Sequence, residues 1–155
     1  MKRFAYRLER VRRLRYLAKR EAETALARAH TAVRELCDQV ENLGRRADRA
    51  AREFNAALER EQAVTGAAAR ESADWIAALL DTERRKRVAL AQARSEVTAR
   101  EREFLDAKRA YDVLQKLREK KRREWIADVE REEQLRLDEL HRSRSKENDQ
   151  EMRLS

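Results

Sequence analysis

Few residues of this chain are of types that do chemistry at neutral pH, and their spacing keeps them apart. His30 and His141 are the two histidines, and they do not form the His-x-x-x-His pair that offers two ligands from one helix face. Cys37 stands alone, so it cannot form an internal disulfide, and it fits a reducing compartment. It follows the apolar Leu36 and has no activating constellation around it, as a nucleophilic or redox thiol requires. With two glycines in the chain there is no phosphate-cradling Gly-rich loop. The many Asp and Glu residues alternate with Lys and Arg, the pattern of solvated helix faces rather than of acid–base pairs. These residues imply no enzyme, no metal and no cofactor. What remains is the chemistry of binding, carried by charge and by a few large apolar groups. Trp75 and Trp125 are the largest of these. Each reads either as packing or as an interface anchor.

The elements that must position such groups are helices. The 155 residues make one domain's worth of chain, of 18.4 kDa. Charged residues are 44% of it, against about a quarter in ordinary domains, and the mean hydropathy is -1.00. With no proline and two glycines, the turns that a sheet needs are missing. No apolar run approaches the roughly 20 residues of a membrane span. The basic N-terminus is not followed by an apolar stretch, so it does not read as a secretory signal.

Net charge is +8, and residues 1–20 hold all of the excess, with nine basic groups against Glu9. A second cluster, Lys116 to Arg123, holds six basic groups against Glu119. An acidic protein surface, nucleic acid or anionic lipid would suit these segments. A basic segment leading into heptads is also the layout of a zipper-type DNA reader. Yet Phe4, Tyr6, Leu8, Val11, Leu14, Tyr16 and Leu17 crowd the first segment with apolar groups, which favours a protein partner and argues against specific nucleic-acid binding.

Apolar residues recur at alternating spacings of four and three from Ala22 through Leu26, Ala29, Val33, Leu36, Val40, Leu43, Ala47, Ala50, Phe54 and Ala57, all eleven apolar. This is a coiled-coil seam. A second seam runs from Ile76 and Leu79 through Leu90, Val97, Phe104, Tyr111 and Leu114 to Trp125, with Glu83, Lys86, Arg100, Arg118 and Lys121 as polar members. Between them the pattern weakens. Thr65-Gly66 suggests a turn, with Ser72 and Asp74 as caps before Trp75.

The expected fold is all-α, with two long helices in an antiparallel coiled-coil hairpin. Arm 1 is expected over about 2–63, the turn over 64–73, arm 2 over 74–142, and a polar, frayed tail over 143–155. Folding about residue 69 would set Phe54 near Arg84, Leu43 near Ser95, and Val11 and Leu14 near Trp125 and Ile126. Both basic clusters would then meet at the open end. Alanine-rich seams bury little area, so marginal stability is expected. A dimer of nearly continuous helices would use the same pattern, at twice the mass of a free hairpin.

The opening Phe4-Ala5-Tyr6-Arg7-Leu8-Glu9-Arg10-Val11-Arg12-Arg13-Leu14-Arg15 resembles the start of the flagellar export protein FliJ family. Leu114-Gln115-Lys116-Leu117-Arg118-Glu119-Lys120-Lys121-Arg122-Arg123-Glu124-Trp125, followed by Glu132-Glu133-Gln134 and Leu137-Asp138-Glu139, resembles its C-terminal signature. Arg12 stands where that opening motif implies a Leu. The resemblance implies a coiled-coil stalk similar to the central shaft of rotary ATP synthases. Such a stalk occupies the pore of the hexameric export ATPase FliI, contacts the export gate protein FlhA, and serves export chaperones. It implies a cytoplasmic place at the inner-membrane base of the flagellum, with membrane association only through the export apparatus. The stalk of a virulence type III secretion system shares the architecture. On the shaft analogy, Phe4, Arg7, Leu8, Val11, Leu14, Leu117, Arg118 and Trp125 form the ATPase-facing end. Phe54 and Trp75 are assigned to the gate contact.

Overall fold

Leu, Ala, Arg and Glu dominate the chain, and with no proline to interrupt them they favour long helices. The computed structural model describes residues 3–60 and 64–154, with side chains through residue 145. It holds two helices, α1 (Glu9–Glu59) and α2 (Gly66–Leu154), packed against each other as a hairpin. The expected limits of arm 1 at residues 2 and 63 fall outside the described residues.

Helix α1 opens where the Glu9 amide donates to the Tyr6 carbonyl at 3.1 Å and the Arg12 amide to the Leu8 carbonyl at 2.9 Å. Glu9 places a negative charge in the first turn, where the helix dipole favours it. Residues 3–6 precede the helix. Helix α2 opens earlier than the sequence suggests. Thr65 is its cap, accepting the Ala68 amide at Oγ1 (3.2 Å) and the Ala69 amide at its carbonyl (3.0 Å). Ser72 and Asp74, read from the sequence as caps, lie inside the helix, because Ala67, Ala68, Ala69, Arg70 and Glu71 are strong helix formers. Helical backbone continues past Ser143, whose hydroxyl bonds the Leu140 carbonyl at 3.0 Å, and runs to Leu154.

The earlier start of α2 moves the pairing of the arms. The chain divides into two compact units, a middle unit of Ala18–Ala107 and a terminal unit of Met1–Leu17 with Lys108–Ser155. In the middle unit, Gly44 faces Glu83, whose Oε1 would lie 3.6 Å from an added Cβ. Leu43 lines a groove with Lys86 instead of lying by Ser95, and Phe54 lines one with Trp75 and Ile76 instead of lying by Arg84. The pairs therefore centre on about residue 64 and not on residue 69.

The seam itself follows the sequence pattern. All eleven positions from Ala22 to Ala57 are half-buried or buried. On α2, every named seam position except Lys121 is likewise withdrawn from solvent, the charged ones included. The aliphatic part of a long charged side chain covers apolar surface while its head stays wet. Glu83 differs, with its side chain 13% exposed and its carboxylate facing Gly44, where Arg87 neutralises it with Nη2 2.7 Å from Oε1. Among the described residues, the buried ones are Val40, Ala47, Leu79 and Leu90, all in the middle unit.

Candidate functional site

The terminal unit contains no fully buried side chain among its described residues. Two aromatic pairs and a polar layer join its parts. Phe4 packs on Trp125 with ring centroids 5.9 Å apart and planes at 54°, and Tyr16 meets Tyr111 at 5.6 Å and 56°. Both are favourable tilted geometries. The Tyr6 hydroxyl donates to the Leu114 carbonyl at 3.3 Å. Trp125 therefore lies against Phe4, not against Val11 and Leu14, because the pairing is shifted.

The polar layer is built around Arg12. Its guanidinium forks onto Glu9, with Nη2 2.6 Å from Oε1 and Nε 3.2 Å from Oε2. Its Nη1 reaches the Tyr111 hydroxyl at 3.4 Å and Gln115 Oε1 at 3.2 Å. Arg118 closes the layer. Its buried Nε lies 3.2 Å from Glu9 Oε2 without hydrogen-bond geometry, so the contact is ionic. Arg12 thus faces inward, at the position where the family resemblance implies a Leu, and Tyr111, Gln115 and Glu9 satisfy it. The hydrogen bonds from Arg12 hold the Glu9 carboxyl below its ordinary range, with the charges of Arg12, Arg118 and Arg13 adding to the effect. Bonding to Glu9 holds Arg12 above its ordinary value.

This layer carries a pH prediction. A carboxyl lowered by folding stabilises the fold fully above its unfolded value, about 4.3 for Glu, and that contribution fades as pH falls through the lowered value. Glu124 is lowered in the same sense by Lys121, whose Nζ lies 2.8 Å from its Oε2. In a Trp75→Phe chain, Trp125 fluorescence reports the terminal unit alone. Its emission is expected to shift toward that of an exposed indole below about pH 4. Emission that stays constant down to about pH 2 would show that the layer does not hold the unit together.

Five of the eight residues expected at the ATPase-facing end, Phe4, Arg7, Leu8, Leu117 and Trp125, line one open groove of about 580 Å³. Its floor is apolar, and Arg7, Lys121, Glu124 and Asp128 charge its margins. Leu14 lies elsewhere, 65% exposed, on a patch with Leu17, Arg10 and Arg13. Val11 is 42% exposed and lines neither surface. Arg118 is engaged by Glu9. Tyr6, Glu9, Arg12, Tyr111, Gln115, Lys121, Glu124 and Asp128 are members absent from the site expected from the sequence. The one acid in the basic opening segment, Glu9, and the Arg12 departure were the available signals for the polar layer.

In the middle unit, Phe54 and Trp75 share a groove of about 300 Å³ with Ala50, Ala57 and Ile76. Trp75 is 53% exposed, and the Arg46 guanidinium carbon lies 5.8 Å from its ring centroid, a cation–π distance. Cys37 receives an Arg94 Nη2 contact at 4.0 Å. Among the described residues, no group of three or more His, Cys, Asp or Glu side chains is placed to hold a metal ion. Among the same residues, no helix is long and apolar enough to cross a membrane.

A family model described as Flagellar FliJ protein matches residues 4–150 of the chain. No curated protein and no solved structure matches it.

Proposed function

The chain belongs to the flagellar FliJ protein family, and from that premise we propose that its terminal unit is the part that enters the pore of the hexameric export ATPase FliI. As a member of this family the protein is a non-catalytic component of flagellar export, the stalk of the type III export ATPase. The observation that carries the proposal is the Phe4–Trp125 groove. It unites the opening and closing family-like segments in one surface with an apolar floor and margins charged by Arg7, Lys121, Glu124 and Asp128.

The roles divide by exposure. Phe4, Leu8, Leu117 and Trp125 hold the opening segment on α2 and present apolar area. Exposed Arg7, together with Val11 and Leu14, makes the contact with acidic, partly apolar pore loops. Arg118 acts as a positioning residue, since Glu9 engages it and Arg12 shares that acid. Titrating the purified protein into its cognate ATPase tests this. A saturable rise in ATP hydrolysis, with ring assembly seen by light scattering, is the expected result. The absence of binding would overturn the reading.

The Phe54–Trp75 groove is proposed as the contact for the export gate protein FlhA. Half-exposed Trp75, steadied by Arg46, is suited to anchor a partner. Replacing Trp75 and Phe54 together by Ala is expected to weaken gate binding at least tenfold, about 1.4 kcal/mol. Unchanged binding in a pull-down titration would remove the assignment. Export chaperones are further proposed partners. The proposed location is the cytoplasmic face of the inner membrane, reached through the export apparatus.

A further inference from the structure

Two apolar stripes lie exposed in the terminal unit, one in a basic stretch of α1 and one at the end of an acidic stretch of α2, and the aromatic pairs use none of their leucines. On α1, Leu14 and Leu17 are 65% and 51% exposed and share a patch with Arg10, Arg13 and Glu9, whose carboxylate Arg12 and Arg118 neutralise. On α2, Leu137 and Leu140 are 51% and 59% exposed and, three positions apart, occupy one helix face. They belong to a run, residues 131–145, in which every residue is exposed. Residues 10–20 carry six basic groups and no acid. Residues 128–139 carry six acids, Asp128, Glu130, Glu132, Glu133, Asp138 and Glu139, against Arg131 and Arg136.

The stripes match in character, but they cannot meet within one chain. Tyr16 packs on Tyr111 and Arg12 reaches Gln115, so Leu14 lies level with that stretch of α2. Leu137 is more than 20 residues farther along the same helix, over about 30 Å at 1.5 Å per residue. We propose that the Leu137–Leu140 stripe of one copy seats on the Leu14–Leu17 patch of a second copy. Two chains running in opposite directions make this contact twice, which closes a twofold dimer. Each contact joins four half-exposed leucines and pairs an acidic helix stretch with a basic one. Exposed charge pairs are individually weak and are screened by salt, so the dimer is weak and favoured at low ionic strength. The dimer covers Leu14. If the terminal unit is the ATPase-binding part, as proposed above, self-association and ATPase binding exclude one another, and the dimer is a resting form.

Sedimentation equilibrium on the full chain tests the dimer without the ATPase. At low salt, the mass is expected to rise from 18.4 kDa toward twice that value between micromolar and millimolar protein, and to fall again with added salt. Leu137→Glu with Leu140→Glu should hold the mass at 18.4 kDa with unchanged helical circular dichroism, since both side chains already face water. Arg10→Glu with Arg13→Glu should weaken the dimer, and adding Asp138→Arg with Glu139→Arg should restore it. A mass of 18.4 kDa at every concentration, or a dimer indifferent to both sets of changes, overturns the proposal. The chain altered at Leu137 and Leu140 should still stimulate the ATPase. Absence of stimulation by both the unaltered and the altered chain, with the unaltered chain still dimerising, would count against the proposed pore contact alone.

Discussion

Removing residues 1–20 is expected to abolish the rise in ATP hydrolysis that the intact protein produces. The deletion takes away Phe4, Arg7, Leu8, Val11 and Leu14 together, and with them every basic group of the +8 excess. It also strips Trp125 of its ring partner and leaves Arg118 without Glu9. Since a loss after such a deletion could reflect a disturbed α2, the sharper variant is Leu14→Glu. Leu14 is 65% exposed, so the change should leave the fold and its melting behaviour intact. At a central interface position it should reduce ATPase affinity by roughly tenfold to a hundredfold, the effect of losing a truncation-sensitive anchor and burying an acid. Stimulation at full level by the truncated chain would show that the ATPase contact lies elsewhere. Normal stimulation by the Leu14→Glu chain would confine the contact to the Phe4–Trp125 groove.

The second large effect concerns stability. Leu90→Ala is expected to destabilise the middle unit by about 2–4 kcal/mol, the range for emptying a buried leucine site. The reason for so strong an effect is the thinness of the core. Val40, Ala47, Leu79 and Leu90 are the buried residues among those described, none of them completely sealed from solvent, and Ala47 contributes one methyl group. Domains hold about 5–15 kcal/mol in total, so such a loss removes a large part of it. Val88→Ala is the control. Val88 is 57% exposed, and the change should stay within about 0.5 kcal/mol. Thermal unfolding followed by circular dichroism measures both. Equal effects at the two positions would mean that the seam does not support the fold.

The seam was legible because alternation of four and three is a property of one helix read along its own length. Ala22 through Ala57 faces inward at every predicted position, and so do Glu83, Lys86 and Arg100, whose polarity seemed to break the pattern. The turn was less legible. A short hydroxyl side chain caps a helix only when the backbone before it leaves the helix, and Thr65, Ser72 and Asp74 all qualify by type. The alanines after Gly66 decide for Thr65, and moving the start of α2 by a few residues shifts every pairing across the seam.

The candidate site shows the same division. Phe4, Leu8, Leu117 and Trp125 were recognisable from their segments, and one groove gathers them. The inward turn of Arg12 was not recognisable. An arginine between basic neighbours reads as solvated until Tyr111, Gln115 and Glu9 stand around it. Sequence by itself determined the helices, the buried face, the placing of charge and the family, because each depends on neighbours close along the chain or on the order of residues. Tertiary structure alone decided which residues of α1 meet which of α2, and with that which arginines face a partner and which hold the fold. The reason is that hydrophobic burial is non-directional and accepts several registers of a repeating seam, so the choice falls to the turn and to a few specific polar and aromatic contacts.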